Sequence, residues 1–379
     1  MLMNNPDFLL HWQLLVFLLL CIVTGVQLFY YLFFFIRITF YTNPSTNNNN
    51  TLPVAIIICA RNEKDNLAKN LPASLQQNYP AGYQVTVVND GSIDDSQQLL
   101  QQLQLQFKQL RVMEITQAEK PYPGKKYPLS KGIAAAQQAI ILLTDADCQP
   151  ASPDWLQKMQ QQFTPGTDIV LGYGAYHKKP GLLNKLVRWE TFHTAIQYLS
   201  YALAGIPYMG VGRNLSYRKS IFVAQAGFAA HTNIPGGDDD LFISGAATKT
   251  NTRINIDVAA FTLSEPVSSW AQWRKQKTRH YSTSKFYRPL HQFLLAAYAG
   301  SHFLFFPFLL ISGYYCSWSL TLIAFFIRLI IQALVLYPAM KKLNEKDLFP
   351  LFLVFDLWMF FYYLIFAFAL IKKPKASWN

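Results

Sequence analysis

The sequence predicts an α/β domain, Rossmann-like with a mostly parallel sheet, joined to transmembrane α-helices. Three observations carry this. The chain is 51% hydrophobic and only 14% charged, with 29 Phe among 379 residues, which is too apolar for a protein that stays wholly in water. The apolar residues concentrate at the N-terminus and after residue 290, leaving an ordinary globular composition between them. In that middle region short β-rich runs alternate with segments of helical period, the pattern of a parallel sheet covered by helices.

Taken in order, residues 8–36 are apolar apart from His11, Gln13, Thr24 and Gln27, longer than the ~20 residues that cross a bilayer. A cleaved signal peptide needs a basic start, and Met1 to Asp7 hold no Lys or Arg. Residues 1–42 are therefore read as an N-terminal transmembrane helix. Residues 43–51, rich in Asn, form a polar linker. The domain spans 52–288, with strands expected at 54–59, 84–88, 111–115 and 140–143 and helices at 63–77 and 94–107. The Gln-rich stretch 97–109 keeps Leu99, Leu100, Leu103 and Phe107 at helical spacing, so its glutamines read as the solvated face of a core helix.

Residues 182–205 carry Trp189, Phe192, Tyr198 and Tyr201 and are expected as an interface helix lining the path to the site, with core packing as the alternative. The basic, aromatic stretch 270–277 suits a second interfacial helix. Residues 289–379 form a C-terminal transmembrane region with candidates at 291–315, 318–340 and 348–371. The rule that positive loops stay inside uses Arg37 and the basic middle region to place the domain in the cytoplasm, with an inner membrane as the expected location. The same rule sets the tail Lys372-Lys373-Pro374-Lys375 against a full set of crossings, so two or three C-terminal spans are expected. Arg328 and Asp356 sit inside apolar segments, where a mutual ion pair is the simplest arrangement.

The net charge of +12 comes without a basic run interleaved with aromatics in a nucleic-acid module. Membrane lipid heads and sugar phosphates are the expected partners, and nucleic acid is not. Cys21, Cys59, Cys148 and Cys316 have no CxxC spacing, so neither disulfide nor zinc site is expected.

In open α/β sheets ligands bind beyond the carboxyl ends of the strands, and chemistry is sought there. No GxGxxG follows the first strand, which removes the main support for a dinucleotide site. The run 140–144 instead ends in Asp145-Ala146-Asp147, whose i, i+2 spacing points both carboxylates the same way. Such a pair can hold Mg²⁺ or Mn²⁺ against substrate phosphates. Two further polar strand ends, Ala60-Arg61-Asn62-Glu63 and Asn89-Asp90-Gly91-Ser92, would converge on it.

This set resembles the family 2 glycosyltransferases of the GT-A fold, with their A-x-N-E, D-G-S-x-D and D-x-D motifs, over roughly 52–287. Gly124-Lys125-Lys126 before Leu129-Ser130-Lys131-Gly132, and Gly212-Arg213-Asn214-Leu215-Ser216-Tyr217-Arg218, are similar to the family's later motifs in order and spacing. The resemblance implies that Arg61, Asn62, Glu63, Asp90, Lys125, Asp145, Asn214, Gln276 and Arg279 bind substrate. Within that set Asp90 would meet the nucleobase, Lys125 the nucleotide, and Asp145 with Asp147 the metal. Gly237-Asp238-Asp239-Asp240-Leu241 aligns with E-D-x-D-L and implies Asp238 as the base, with Asp239 possible because Gly237 replaces the usual Glu. Gln276-Lys277-Thr278-Arg279-His280 resembles the Q-x-x-R-W of the membrane-bound branch, with His280 in place of Trp and Arg279 facing the diphosphate.

The expected function is inverting transfer of a sugar, most simply a hexose, from a nucleotide-sugar donor, UDP-linked, to a lipid or glycan acceptor at the cytoplasmic face. A processive polysaccharide synthase and a non-catalytic nucleotide-binding or transporter subunit are the alternatives.

Overall fold

The computed structural model describes residues 6–44, 51–234, 236–281 and 283–367, with side chains described throughout except at 6–10, 280 and 281. The described residues divide into two compact units, one of residues 6–40 with 288–367 and one of residues 41–287.

The second unit holds a seven-stranded sheet in the order β3-β2-β1-β4-β8-β6-β9. Its strands are β1 Val54–Ala60, β2 Tyr83–Asp90, β3 Leu110–Ile115, β4 Ile140–Leu143, β6 Ile169–Leu171, β8 Leu215–Arg218 and β9 Thr252–Ile254. β3, β2, β1 and β4 are mutually parallel, and β8 runs antiparallel to both β4 and β6. Every residue of β1 is buried, as a strand with both faces covered requires. The period-2 alternation divides its side chains. Ile56 and Ile58 join Val85, Val87 and Leu142 against Leu67 and Leu71 of the helix Lys64–Leu75 and against Trp155. On the opposite face the helix Lys126–Ala135 sits so close that a Cβ on Gly132 would lie 2.9 Å from Ile57 and 2.8 Å from Val88. Glycine at that position permits the approach.

A smaller sheet, β5 Cys148–Pro150, β10 Thr262–Ser264 and β7 Gly174–Tyr176 in that order, follows directly from the acidic turn after β4. It sets Cys148, Tyr176 and Ser264 side by side in register.

The Gln-rich helix covers Ser96–Gln106, with Leu100 buried and Leu105 facing solvent. Of the two readings of residues 182–205, burial of the side chains supports core packing. They form a helix, Leu182–Leu203, in which Trp189, Phe192, Ile196, Tyr198, Leu199 and Tyr201 are all buried. Burial on nearly every face makes it a core helix instead of an interface helix. Its buried Glu190 accepts from Trp273 Nε1 at 2.8 Å and pairs with Lys277 Nζ at 3.1 Å. The helix Trp270–Tyr281 is thereby held on one face, while Trp270 remains exposed.

Among the described residues the first unit contains four helices long and apolar enough to cross a membrane: His11–Phe40, Pro289–Tyr315, Trp318–Lys342 and Lys346–Ala367. The first includes a π-helical segment, Tyr30–Phe35. Polar side chains join these helices where apolar surface alone gives no specificity. Gln27 Nε2 donates to Ser301 Oγ at 2.7 Å, and Gln332 Nε2 to Tyr31 Oη at 3.0 Å. The expected ion pair forms as a two-pronged contact, Arg328 Nη1 to Asp356 Oδ2 at 2.7 Å and Nη2 to Oδ1 at 3.0 Å. Residues 368–371 of the last expected span, and the basic tail, lie outside the described residues.

Candidate functional site

β4 ends at Leu143, and the turn that follows presents Asp145 and Asp147 before the chain enters β5 at Cys148. One oxygen from each carboxylate and the Cys148 Sγ lie within 4.8 Å of one another. Two carboxylate oxygens this close form the donor set that a hard divalent cation prefers, so these residues fit Mg²⁺ or Mn²⁺. Lys125, at the start of the helix Lys126–Ala135, forms an ion pair with Asp145. Burial would raise Asp145, but Lys125, with Arg213 and Arg279 adding, holds its carboxyl below the usual range. Asp147 goes the other way, pushed up by burial and by the Asp145 charge. The two carboxylates of the turn are thus separated electrostatically by which of them holds the lysine.

The β1 end contributes a clamp. Asn62 adopts φ +55°, its backbone N–H donates to Ser92 Oγ at 2.9 Å, and its Oδ1 accepts from the Ile93 amide at 2.8 Å. Asn62 therefore ties the loop after β1 to the loop after β2. Glu63 accepts from Asn66 at 2.5 Å, and burial raises its pKa, with the Asp147 and Asp145 charges adding to the rise. Arg61 is half-buried, and its Nε has no hydrogen-bond partner among the described residues.

Two expected site residues have their polar atoms engaged by the protein itself. Asp90 is fully buried at the end of β2, and its oxygens are taken by Lys120 Nζ at 2.6 and 2.8 Å. Asn214 is also fully buried, donating to the Tyr173 and Ala260 carbonyls at 3.0 and 2.8 Å and accepting from Trp155 Nε1 at 3.0 Å. Its neighbour Arg213, passed over in the sequence reading, stacks its guanidinium on the Tyr176 ring at 4.6 Å and donates to Ser264 Oγ at 3.3 Å. Gln276 Nε2 donates to the hydroxyl of that same Tyr176 at 3.2 Å. Arg213 stood in the Gly-x-Asn motif, but the two residues share the 3₁₀ turn Gly212–Asn214 just before β8, and only the folded contacts show that their side chains part.

The acidic triplet enters the helix Asp240–Ala246. Asp239 is its N-cap, accepting from the Asp240 amide and, with its other oxygen, from the Gly212 amide, both at 2.7 Å. Asp240 accepts from Thr283 at 2.5 Å and Tyr287 at 2.7 Å, and also from the Leu241 amide. Asp238 has no hydrogen-bond partner among the described residues, yet its charge acts on Lys125, Lys126 and Tyr217. The loop before it is pinned by Lys126 Nζ, which donates to the carbonyls of His231 at 2.5 Å and Ile234 at 2.7 Å. Gly237 has φ +82°, and a Cβ there would lie 2.5 Å from Leu241. Arg279 is exposed on the helix Trp270–Tyr281 and close enough to lower Asp145. The His280 side chain lies outside the described residues.

This geometry defines an α/β fold with an acidic turn at the end of a central parallel strand. It is similar to the mannosyltransferase PcManGT from Pyrobaculum calidifontis, a structure in complex with GDP-Man and Mn²⁺, with TM-score 0.58 and 18% identity over 91% of this chain and 99% of that one. The fold is GT-A. Residues 55–223 match the model of glycosyl transferase family 2, and this stretch is a family 2 glycosyltransferase domain. Among curated relatives, the chain is 31% identical over 125 residues to the glycosyltransferase AglE of Haloferax volcanii, covering 32% of this chain and 40% of that protein. It is also 31% identical over 100 residues to the beta-monoglucosyldiacylglycerol synthase of a Nostoc species, covering 26% of this chain and 21% of that protein. The chain thus matches two fifths or less of the length of these relatives.

Proposed function

We propose that the chain is a membrane-embedded, inverting glycosyltransferase of an inner membrane, moving a sugar from a UDP-linked donor to a lipid or lipid-carried acceptor at the cytoplasmic face. The observation that carries this is the gathering of Asp147 and Lys125 on Asp145 while Asp238 keeps its carboxylate unspent. Asp145 and Asp147 would hold a divalent cation, which when bound would neutralise charge on the donor diphosphate. Lys125 adds a positive charge beside the nucleotide, and Arg279 adds another from the helix above it. Asp238 takes the proton from the acceptor hydroxyl. The acceptor oxygen then bonds to the anomeric carbon as the bond to the diphosphate breaks, and the nucleoside diphosphate leaves with that electron pair.

Asn62 and Glu63 organise the loops around the donor in this reading, and Asp90 fixes its strand end through Lys120. Four helices of spanning length and the name of the Nostoc relative, a synthase of a glucosylated diacylglycerol, support a lipid acceptor. Bound GDP-Man and Mn²⁺ in the Pyrobaculum calidifontis mannosyltransferase support a nucleotide-sugar donor with a divalent metal. Membranes containing the protein, incubated with radiolabelled UDP-glucose, UDP-N-acetylglucosamine or GDP-mannose and Mg²⁺ or Mn²⁺, should pass label into the organic extract. Absence of both transfer and donor hydrolysis with every donor would refute the proposal.

A further inference from the structure

We infer that Arg213 is the fixed fork for the diphosphate of the donor, and that Gln276 serves as its positioning residue through Tyr176. This deepens the reading proposed above and rests on it.

The inference starts from how positive charge is used around the acidic turn. Lys125 is paired with Asp145, Lys120 with Asp90 and Lys277 with Glu190. Lys126 spends its ammonium on two backbone carbonyls. Arg213 differs from all four. Among the described residues no carboxylate lies within 4.0 Å of its guanidinium, and its side chain makes one hydrogen bond, the long one from Nη1 to Ser264 Oγ. A guanidinium carries five donors in a planar fork, so most of this one's capacity is unspent. The residue is only partly buried, and its charge acts on both Asp145 and Asp147.

The fork is nonetheless held firmly. Its plane rests on the Tyr176 ring at 4.6 Å, and Gln276 holds that ring by its hydroxyl at 3.2 Å. The Arg213 carbonyl accepts from Thr262 Oγ1 at 3.0 Å, and the preceding Gly212 amide is bound by Asp239 at 2.7 Å. Gly174 leaves the room that this packing needs: a Cβ there would stand 3.2 Å from the Arg213 Cβ. An oriented, unspent guanidinium beside two metal-ligand carboxylates matches a group with two adjacent anionic phosphates, which accepts bidentate hydrogen bonds. Gln276 then acts on the donor through Tyr176 and not by touching the acceptor.

The test uses the full chain in detergent with Mn²⁺, and measures binding of UDP, GDP, UMP and GMP to wild type, Arg213→Gln and Arg213→Lys. Loss of a charge-assisted contact predicts about tenfold or greater weakening of the nucleoside diphosphate in Arg213→Gln, with the matching monophosphate changed by less than about twofold. Arg213→Lys, which keeps charge but not the fork, should weaken the diphosphate by roughly threefold or more, again sparing the monophosphate. Should Arg213→Gln fail to fold, the Lys variant decides alone. Unchanged diphosphate affinity, or equal weakening of mono- and diphosphate, overturns the assignment while leaving the glycosyltransferase reading intact. If wild type binds neither UDP nor GDP, both fall. Gln276→Ala, tested alongside, should weaken the diphosphate in the same selective way; a purely acceptor-side role would leave diphosphate binding at the wild-type value.

Discussion

The carboxylate of Asp239 accepts the Gly212 amide at 2.7 Å, which couples the acidic triplet to the segment that carries Arg213 and Asn214. Both oxygens of Asp239 are therefore engaged in holding backbone, while its neighbour Asp238 is left for chemistry. Asp238→Asn should lower turnover by about 10²–10⁴-fold with nucleotide affinity kept, the usual range for loss of a general base. Asp239→Asn should act mainly on folding, lowering the thermal midpoint by an amount consistent with a lost cap of about 1 kcal/mol. Turnover and melting measured on both variants check the division, and full activity in Asp238→Asn would move the base to Asp239.

The triplet also sets a pH dependence. Burial, then the charges of Asp238 and Asp240, push Asp239 up to about 7 from its ordinary 3.8. The folded protein therefore holds this proton across a range where the unfolded chain has released it. The associated stability is complete below about pH 4 and is lost as pH rises through about 7. Asp238→Asn removes the nearest like charge, so its melting temperature should fall less than that of wild type between pH 4 and pH 8. Parallel profiles would show that Asp238 does not reach Asp239.

The Lys125–Asp145 pair predicts opposite effects on metal and nucleotide. Lys125→Met frees a carboxylate oxygen and removes a cation that repels a metal, so Mn²⁺ alone should bind more tightly, by about threefold or more, given some 1 kcal/mol for a partly exposed pair. The same variant should bind nucleoside diphosphate more weakly. Calorimetry with Mn²⁺ and then UDP separates the two, and a fall in both affinities would mean that Lys125 only supports the turn.

Lys126 predicts a conformational effect. Its ammonium holds the His231 and Ile234 carbonyls, and burial lowers its pKa to about 8 even though the three neighbouring aspartates oppose that shift. Lys126→Met should loosen the loop that leads to Asp238, speeding amide exchange there and lowering turnover by about tenfold or more through misplacement of the base. Exchange in this loop unchanged from wild type would sink the anchoring role.

Gly237 predicts that the residue usual in this family cannot simply be restored. Its φ of +82° and the 2.5 Å approach of Leu241 leave no place for a side chain, so Gly237→Glu should destabilise by about 1 kcal/mol or more. Denaturant unfolding of the purified protein measures it, and equal stability would show that this loop adapts at little cost.

Much of this molecule could be read from the chain. The strands β1 and β4 followed from runs of Ile, Val and Leu bounded by polar turns, since a strand buried on both faces is apolar throughout, whereas the edge strand β3 exposes Arg111 and Glu114 and followed from its β-rich composition alone. The turn Asp145-Ala146-Asp147 followed from its position after such a strand, and the ion pair of Arg328 with Asp356 from the cost of lone charges in apolar segments. What the sequence by itself could not decide was direction. Arg213 and Asn214 are adjacent, and only the packing of Asn214 among Tyr173, Ala260 and Trp155 turns it inward and leaves Arg213 facing the acidic turn. Asp238, Asp239 and Asp240 are chemically alike, and distant groups tell them apart: the Gly212 amide, Thr283 and Tyr287 claim two and pass over the third. The helix Leu182–Leu203 is aromatic enough for an interface, yet its neighbours bury it. Local pattern determined the elements because it is set by covalent geometry and solvation. The use of each side chain was decided by residues far off in sequence, which meet it only in the folded state.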